Sequence, residues 1–190
     1  MATILAFAGS NSSTSINFQL VRFTTAQIAG HTTQVLNLAN LPFPIYSEDH
    51  EKEHGFLNSL VELKKDILNA DGIVISVNEH NGGLSAYFKN LIDWLSRLDR
   101  DFIRDKKVLL MSTSPGKRGA IGAHEAANKM LSRFGAEILG SFSLPSFYDN
   151  FDVEKGIISE DLAPGTYTIF IRSVDKWAEY EGRRLIRVTE

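Results

Sequence analysis

Short apolar runs alternate with amphipathic segments along most of the chain. Runs such as Thr3–Ala8 and Gly72–Val77 are almost continuously apolar, which is typical of strands that are buried on both faces. Between the runs, apolar residues recur at helical spacing, as they do in residues 15–29. This alternation predicts parallel strands that are connected by helices. The five predicted strands cover Thr3–Ala8, residues 34–38, Gly72–Val77, Lys107–Thr113 and Glu137–Leu144.

Helices are predicted between these strands and after the last of them. They cover residues 15–29, 57–68, 87–98 and 123–134, and a final helix begins near residue 164. These units fit an α/β, doubly wound, five-stranded parallel sheet of order 2-1-3-4-5 with helices on both faces. Ligands of such sheets bind at the carboxyl ends of the strands, near the switch point between the first and third strands. With 190 residues, of which 43% are hydrophobic, we expect residues 1–190 to form a single domain.

The composition narrows the possible chemistry. The formal net charge of -3 provides no broad basic surface, so nucleic acid is not an expected partner. Cysteine is absent, which excludes disulfides, thiolate nucleophiles and cysteine-ligated metals, and any redox chemistry must therefore come from a bound cofactor. No apolar stretch approaches the roughly 20 residues that span a bilayer. We expect a cytoplasmic protein with no membrane partner.

The loop after the first strand, residues 9–17, is rich in small hydroxyl and amide side chains and leads into a helix. Backbone N–H groups at a helix N-terminus, together with hydroxyls, can bind a phosphate without lysine. The same loop also fits a solvated turn with Ser13 or Ser15 as the N-cap. It contains neither the dinucleotide fingerprint nor the Walker lysine. Taken alone, the loop leaves both interpretations open.

Two motifs follow the third strand: Glu79-x-Asn81-Gly82 and Lys89-Asn90-x-Ile92-Asp93-Trp94. In sequence and spacing they resemble the NAD(P)H-dependent FMN reductase family, which includes quinone, azo-dye and chromate reductases. Matching residues also occur in the loops after the first, second and fourth strands, and the similarity extends to about residue 134. We interpret Lys89, Asn90, Asp93 and Trp94 of the second motif as helix packing and capping support and not as catalysts.

The resemblance implies a flavodoxin-like fold and an FMN-dependent enzyme. In this hypothesis, NADPH or NADH passes hydride to flavin N5, and the reduced flavin then passes electrons to a small-molecule acceptor. A quinone, an azo or nitro compound, free flavin and a metal oxyanion are all compatible acceptors. The resemblance also implies a homodimer or homotetramer, and the apolar excess of the helix at residues 87–98 is a candidate interface.

By the same resemblance, ten residues bind the cofactor, and no catalytic side chain is expected because the flavin performs the chemistry. The residues expected at the phosphate are Ser10, Ser12, Ser15 and Asn17. Those expected around the isoalloxazine ring are Glu79, His80, Asn81 and Gly82, with Ser112 and Gly116 on its pyrimidine side. The chain departs from the family at Ser12, where an arginine is usual, and at Asn78 and His80, which replace proline and tyrosine. His80 fits either a flavin contact or a solvated loop.

Two other functions are weighed against this one. A non-catalytic flavin carrier similar to a flavodoxin would be more strongly acidic than this chain. His50-Glu51-Lys52-Glu53-His54 matches the zinc-protease pattern, in which a helix carries two metal-binding imidazoles. Its dense charge and the preceding proline-containing loop favour the start of a surface helix instead. No resident metal is expected.

Overall fold

The computed structural model describes residues 2–152 and 157–158. The described strands are β1 (Thr3–Ala8), β2 (Thr32–Leu36), β3 (Gly72–Val77), β4 (Glu79–His80), β5 (Gly83–Leu84), β6 (Lys107–Thr113), β7 (Glu137–Leu144), β8 (Phe151–Asp152) and β9 (Ile157–Ile158). Five of them form a parallel sheet in the order β2-β1-β3-β6-β7. This is the predicted 2-1-3-4-5 order once the short hairpin β4–β5 is set aside. The predicted fold class is confirmed.

The described helices are short, and three of them begin at a serine whose side chain caps the helix. They are α1 (Ile16–Ala26), α2 (Glu48–His54), α3 (Asn58–Asn69), α4 (Ala86–Leu98), α5 (Ile121–Arg133) and α6 (Phe147–Asn150), with one 3-10 helix at Leu38–Asn40. Ser15 is the N-cap of α1, because its Oγ accepts a hydrogen bond from the Phe18 N–H at 3.2 Å. Ser85 caps α4 in the same way. Among the described helices, none has the length and apolar character that crossing a membrane requires.

The sheet separates two apolar cores. On one face, Leu5 and Phe7 of β1 pack with residues of α3, α4 and α5, and the buried Trp94 belongs to this cluster. On the other face, Ile4 and Ala6 of β1 pack with α1 and α6. Successive residues of β1 therefore enter opposite cores, as the alternation of side chains along a strand requires. Burial on both faces explains why the central strands are almost continuously apolar.

Three predicted boundaries are corrected by the structure. The second strand begins at Thr32 rather than residue 34, because Thr32 pairs with Thr3 at the start of β1. Leu38, which was predicted to end this strand, is buried in the 3-10 helix. Helix α1 ends at Ala26 rather than residue 29, where the Gln27 N–H turns back to the Thr24 carbonyl. The final helix, predicted from about residue 164, lies outside the described residues.

The polar segment after β3 forms a hairpin that was not predicted. Glu79–His80 pairs with Gly83–Leu84 in antiparallel fashion. The turn between them is Asn81-Gly82, and both residues have positive φ, at 52° and 78°. Two central residues with positive φ are what a tight two-residue hairpin turn needs. The hairpin holds this loop in a fixed shape beside the sheet.

Candidate functional site

A polar cavity of about 260 Å³ lies where the loops after β1, β3 and β6 meet. The loop after β1 and the start of α1 contribute Ser10, Asn11, Ser12, Thr14, Ser15, Ile16 and Asn17. The other walls are formed by Asn78, Glu79, His80, Thr113, Ser114, Pro115 and Tyr148. The cavity therefore occupies the switch point of the sheet, where a ligand was predicted.

Hydroxyl groups dominate the wall formed by the loop after β1. The Ser12 N–H donates to Ser10 Oγ at 3.2 Å, and the Thr14 N–H donates to Ser12 Oγ at 3.3 Å. These short-range bonds shape the loop and leave each serine O–H able to donate elsewhere. The N-terminus of α1 adds its partial positive charge at this wall. The wall suits a phosphate, although no lysine or arginine lines the described cavity.

Asn17 lies at the base of the cavity, but its side chain has structural partners. Its Oδ1 accepts hydrogen bonds from Ser76 Oγ at 2.7 Å and from the Thr113 N–H at 3.0 Å. Its Nδ2 donates to the Thr113 carbonyl at 3.1 Å. The amide thus ties α1 to the ends of β3 and β6, and one N–H of Nδ2 is left for a ligand.

Glu79 connects the cavity to helix α5. Its Oε2 accepts a hydrogen bond from the Ala123 N–H at 3.0 Å. The residue preceding α5, Ala120, has a left-handed conformation and no side chain that could cap the helix. Glu79 therefore acts as a remote cap, and its negative charge is favourable at the positive end of the helix.

Asn78 and His80 lie on the same wall and contact each other. Asn78 Nδ2 and His80 Nε2 are 3.2 Å apart. Asn78 Oδ1 is buried and has no hydrogen-bond partner among the described residues. A buried acceptor of this kind is rarely left unpaired in a native protein. It fits a cavity whose ligand carries an N–H or O–H group, as the ring and ribityl chain of a flavin do.

Six of the ten residues predicted to bind the cofactor line this cavity: Ser10, Ser12, Ser15, Asn17, Glu79 and His80. Asn81 and Gly82 form the turn of the hairpin and are not among its lining residues. Ser112 is fully buried, and its hydroxyl donates to the Gly119 carbonyl at 2.8 Å. The Gly116 carbonyl accepts hydrogen bonds from the N–H groups of Gly119 and Ser146. In the structure, these last four residues (Asn81, Gly82, Ser112 and Gly116) therefore support the walls of the cavity and do not line it.

Tyr148 was missed by the sequence reasoning. It lines the cavity from α6 and is 70% exposed. The preceding Phe147 is fully buried, and its N–H donates to the Ser114 carbonyl at 3.0 Å. The position of Tyr148 directly after the last strand of the sheet was a usable signal, because the carboxyl ends of parallel strands share one edge.

The second family motif holds the loop after β2 in place. The Pro44 carbonyl accepts hydrogen bonds from Asn90 Nδ2 at 2.9 Å and from Trp94 Nε1 at 2.8 Å. Asn90 Oδ1 also accepts from the Tyr46 N–H at 2.8 Å. Asn90 and Trp94 therefore have the packing role that was predicted for them. Burial raises the pKa of Tyr87 on the same helix to about 12, so its hydroxyl stays protonated and donates to the Leu38 and Leu41 carbonyls.

The apparent zinc-protease pattern forms helix α2 at the surface, and none of the residues of α2 is buried. The imidazole rings of His50 and His54 are 4.5 Å apart, and the His50 ring packs edge-on against Trp94. Within residues 2–152 and 157–158, no three histidine, cysteine, aspartate or glutamate side chains gather into a metal-binding group. The predicted surface helix is confirmed.

A doubly wound parallel sheet with a hydroxyl-lined cavity at its switch point defines the mononucleotide-binding, flavodoxin-like class of proteins. Comparison with protein families identifies one family within this class. The sequence profile of the NADPH-dependent FMN reductase family matches residues 2–149, and the chain belongs to this family. The resemblance inferred from the two motifs is confirmed. The description of this family agrees with the oxidoreductase class and with the cofactors, FMN and a nicotinamide dinucleotide, that the resemblance implied.

Individual relatives agree with this assignment. A quinone reductase of Escherichia coli is 34% identical over 117 residues, which cover 61% of this chain and 62% of the relative. The match thus spans less than two thirds of that relative's length. An NADPH azoreductase of a Bacillus species is 27% identical, with 69% of each chain covered. The solved structure of FerB, a flavoenzyme NAD(P)H:(acceptor) oxidoreductase from Paracoccus denitrificans, superposes with a TM-score of 0.74 at 22% identity and covers 96% of this chain and 98% of FerB.

Proposed function

We propose that this chain binds FMN in the cavity at the ends of β1, β3 and β6 and uses NADPH or NADH to reduce a small-molecule acceptor. The observation that carries the proposal is the hydroxyl-rich wall at the N-terminus of α1, placed at the switch point of the sheet. The activities of the quinone reductase and azoreductase relatives favour a quinone or an azo compound as the acceptor. Cytoplasmic location, a single domain over residues 1–190 and homo-oligomeric assembly stay predictions.

In this proposal the FMN phosphate is bound by the hydroxyls of Ser10, Ser12 and Thr14 and by backbone N–H groups at the start of α1. Asn17 supports this wall through its bonds to Ser76 and Thr113 and can donate one further N–H to the phosphate. All of these donors are neutral, so the phosphate makes no ion pair with the cavity wall. We therefore expect weaker FMN binding than in relatives that have an arginine at the position of Ser12.

The remaining walls would bind and orient the rest of the cofactor. Asn78 Oδ1 is an unpaired acceptor, and the amide of the same residue positions the His80 imidazole. Asn81, Gly82, Ser112 and Gly116 act by holding these walls in place. When bound, FMN supplies the two-electron redox chemistry, and the protein supplies binding, orientation and polarity. No acid–base dyad of side chains is required.

The proposal is tested by mixing the purified protein with FMN and then, without oxygen, with NADPH. We expect quenching of flavin fluorescence on binding, bleaching of the oxidised flavin by NADPH, and recovery of its absorbance when a quinone is added. Binding without bleaching would instead identify an electron carrier. Absence of both FMN binding and bleaching would disprove the proposal.

A charge substitution tests the position of the phosphate. Ser12→Asp places a carboxylate in the cavity wall, and repulsion should weaken FMN binding by at least tenfold, or about 1.4 kcal/mol. Ser13→Asp is the matched control, because Ser13 is exposed in the same loop and is not among the residues that line the cavity. Equal effects of the two substitutions would mean that the phosphate lies elsewhere.

A further inference from the structure

Lysine and arginine are scarce at the edge of the sheet that carries the cavity. The loops after β1, β2, β3 and β7 contain neither residue, whereas the loop after β6 contains Lys117 and Arg118 side by side. The cavity wall itself contributes the carboxylate of Glu79. Among the described strand-end loops at this edge, only the loop after β6 therefore presents lysine or arginine side chains to an anionic substrate.

Lys117 and Arg118 occupy the two central positions of a tight turn. The Gly119 N–H donates to the Gly116 carbonyl at 3.1 Å, which closes a four-residue β-turn. Both side chains are exposed, and neither has a hydrogen-bond or ion-pair partner among the described residues. The fold thus presents two exposed cations at the tip of one turn.

The turn is anchored at both ends. The Gly116 carbonyl also accepts a hydrogen bond from the Ser146 N–H at 2.9 Å. The Gly119 carbonyl accepts from Ser112 Oγ at 2.8 Å and from Ser143 Oγ at 2.7 Å. Gly119 has a φ of 59°, and a Cβ at this position would lie 2.8 Å from the Leu144 carbonyl. The turn is therefore fastened to β7, and its two cations are held on a rigid support.

The anchored turn lies beside the cavity. Ser114 and Pro115, immediately before it, line the cavity, and the Phe147 N–H bonds to the Ser114 carbonyl. That bond also fixes Tyr148, the exposed aromatic residue of the same cavity wall. The two cations and the aromatic ring thus belong to one supported unit beside the cavity.

We propose that Lys117 and Arg118 form a phosphate-binding subsite for the nicotinamide dinucleotide. This inference rests on the proposed function, in which such a dinucleotide must approach the cavity. Its phosphates are anionic, and bonds from ammonium and guanidinium groups to phosphate are the charge-assisted kind. The shared chemistry is a phosphate group, which can be the diphosphate of either dinucleotide or the additional 2′-phosphate of NADPH.

The test compares Lys117→Ala/Arg118→Ala with the wild-type protein, both saturated with FMN. Calorimetry measures the dissociation constants of NADP⁺ and NAD⁺ at low and high salt, and steady-state assays give the KM for NADPH and NADH. We expect NADP⁺ binding to weaken by roughly tenfold and to lose most of its salt dependence. Lys129→Ala is the matched control, because Lys129 is an exposed cation on α5, away from the turn.

Comparison of NADP⁺ with NAD⁺ shows which phosphate of the dinucleotide the two cations bind. A loss confined to NADP⁺ assigns the cations to the 2′-phosphate, and equal losses assign them to the diphosphate. Unchanged dissociation constants, or an equal effect of Lys129→Ala, would overturn the inference. A loss of FMN affinity with NADP⁺ binding unchanged would also overturn it. Failure of the proposed function is separate, since it would show in the wild type as absence of FMN binding and of bleaching by NADPH.

Discussion

At the scale of single residues, Asn17 links three elements through one buried side chain. Asn17→Ala would leave the Thr113 N–H and carbonyl and the Ser76 hydroxyl without their partner. Unpaired buried groups are costly, so we expect the free energy of unfolding to fall by about 2 kcal/mol or more in flavin-free protein. Urea unfolding followed by circular dichroism measures this change.

Ser13→Ala is the comparison for this prediction. Ser13 is exposed and lies in the same loop, so its substitution should change the stability by less than about 0.5 kcal/mol. If Asn17→Ala were as stable as the wild type and lost only FMN affinity, the side chain would be a phosphate ligand without a structural role.

His124 is a buried imidazole that predicts a pH dependence of stability. Its Nε2 lies 2.6 Å from Ser141 Oγ, and its Nδ1 has no partner among the described residues. Burial lowers the pKa of His124, against a smaller opposing effect of the Glu125 carboxylate. Below the ordinary histidine pKa of about 6.5, the unfolded chain takes up a proton that the folded chain resists. This contribution to stability is present above about pH 6.5 and is lost as the pH falls towards the lowered pKa.

Unfolding free energies at about pH 7.5 and about pH 5.5 test this expectation, since these values bracket the ordinary histidine pKa. The wild type should be less stable at the lower pH, and His124→Gln should reduce the difference. His54→Gln, in the exposed helix α2, should leave the difference as it is. An unaltered pH dependence in His124→Gln would show that another group is responsible.

At the scale of elements, helix α5 is capped by a side chain from a different loop. Glu79→Ala removes the acceptor of the Ala123 N–H and the negative charge at the helix N-terminus. We expect a loss of about 1 kcal/mol in unfolding free energy of the flavin-free protein. Glu79→Gln, which keeps an oxygen acceptor, should lose less.

The control for Glu79→Ala is Glu62→Ala. Glu62 lies on the surface of α3, and its ion pair with Lys65 is long and exposed, so it should contribute little. Equal losses from Glu62→Ala and Glu79→Ala would indicate a general effect of charge on stability and would contradict the capping role.

The three central strands and the edge strand β7 were predicted with their correct bounds, and the other edge strand, β2, was not. In β3 and β6 every residue is buried, and a run of apolar residues marks each strand. In β2 none of the five residues is buried, so hydrophobicity does not mark its ends. Pairing with β1 sets them instead, and pairing is not visible in a single sequence. The hairpin after β3 did have a local signal, namely Asn81-Gly82.

The residues predicted for the site also fall into two groups, those that line the cavity and those that do not. Loop residues such as Ser10 and His80 line the cavity because every strand-end loop of this fold reaches the same edge. Ser112 lies within a strand, and its hydroxyl direction depends on strand register. Since β6 is buried on both faces, polarity does not indicate which side chains point to the cavity. The apolar excess of α4 that suggested a subunit interface is used by the core, where Leu91, Trp94 and Leu95 are buried.

At the scale of the whole molecule, the sheet, a core and the cavity meet at Gly9. Its N–H donates to the Ser76 carbonyl of β3, and its carbonyl accepts from Ser85 Oγ at the start of α4. A Cβ at this position would lie 2.5 Å from Cδ2 of Phe88, which is fully buried. The ring cannot move into solvent, so a larger residue must displace either the core or the cavity loop.

Gly9→Ala should therefore affect stability and cofactor binding together. We expect a loss of about 1 to 3 kcal/mol in unfolding free energy, the usual range for overpacking, and weaker FMN binding through displacement of Ser10. Phe88→Leu in the Gly9→Ala background relieves the clash and should recover part of both losses, although it is destabilising alone. A double-mutant cycle measures this coupling. Additive effects would show that the cavity loop does not depend on the packing of α4 beneath it.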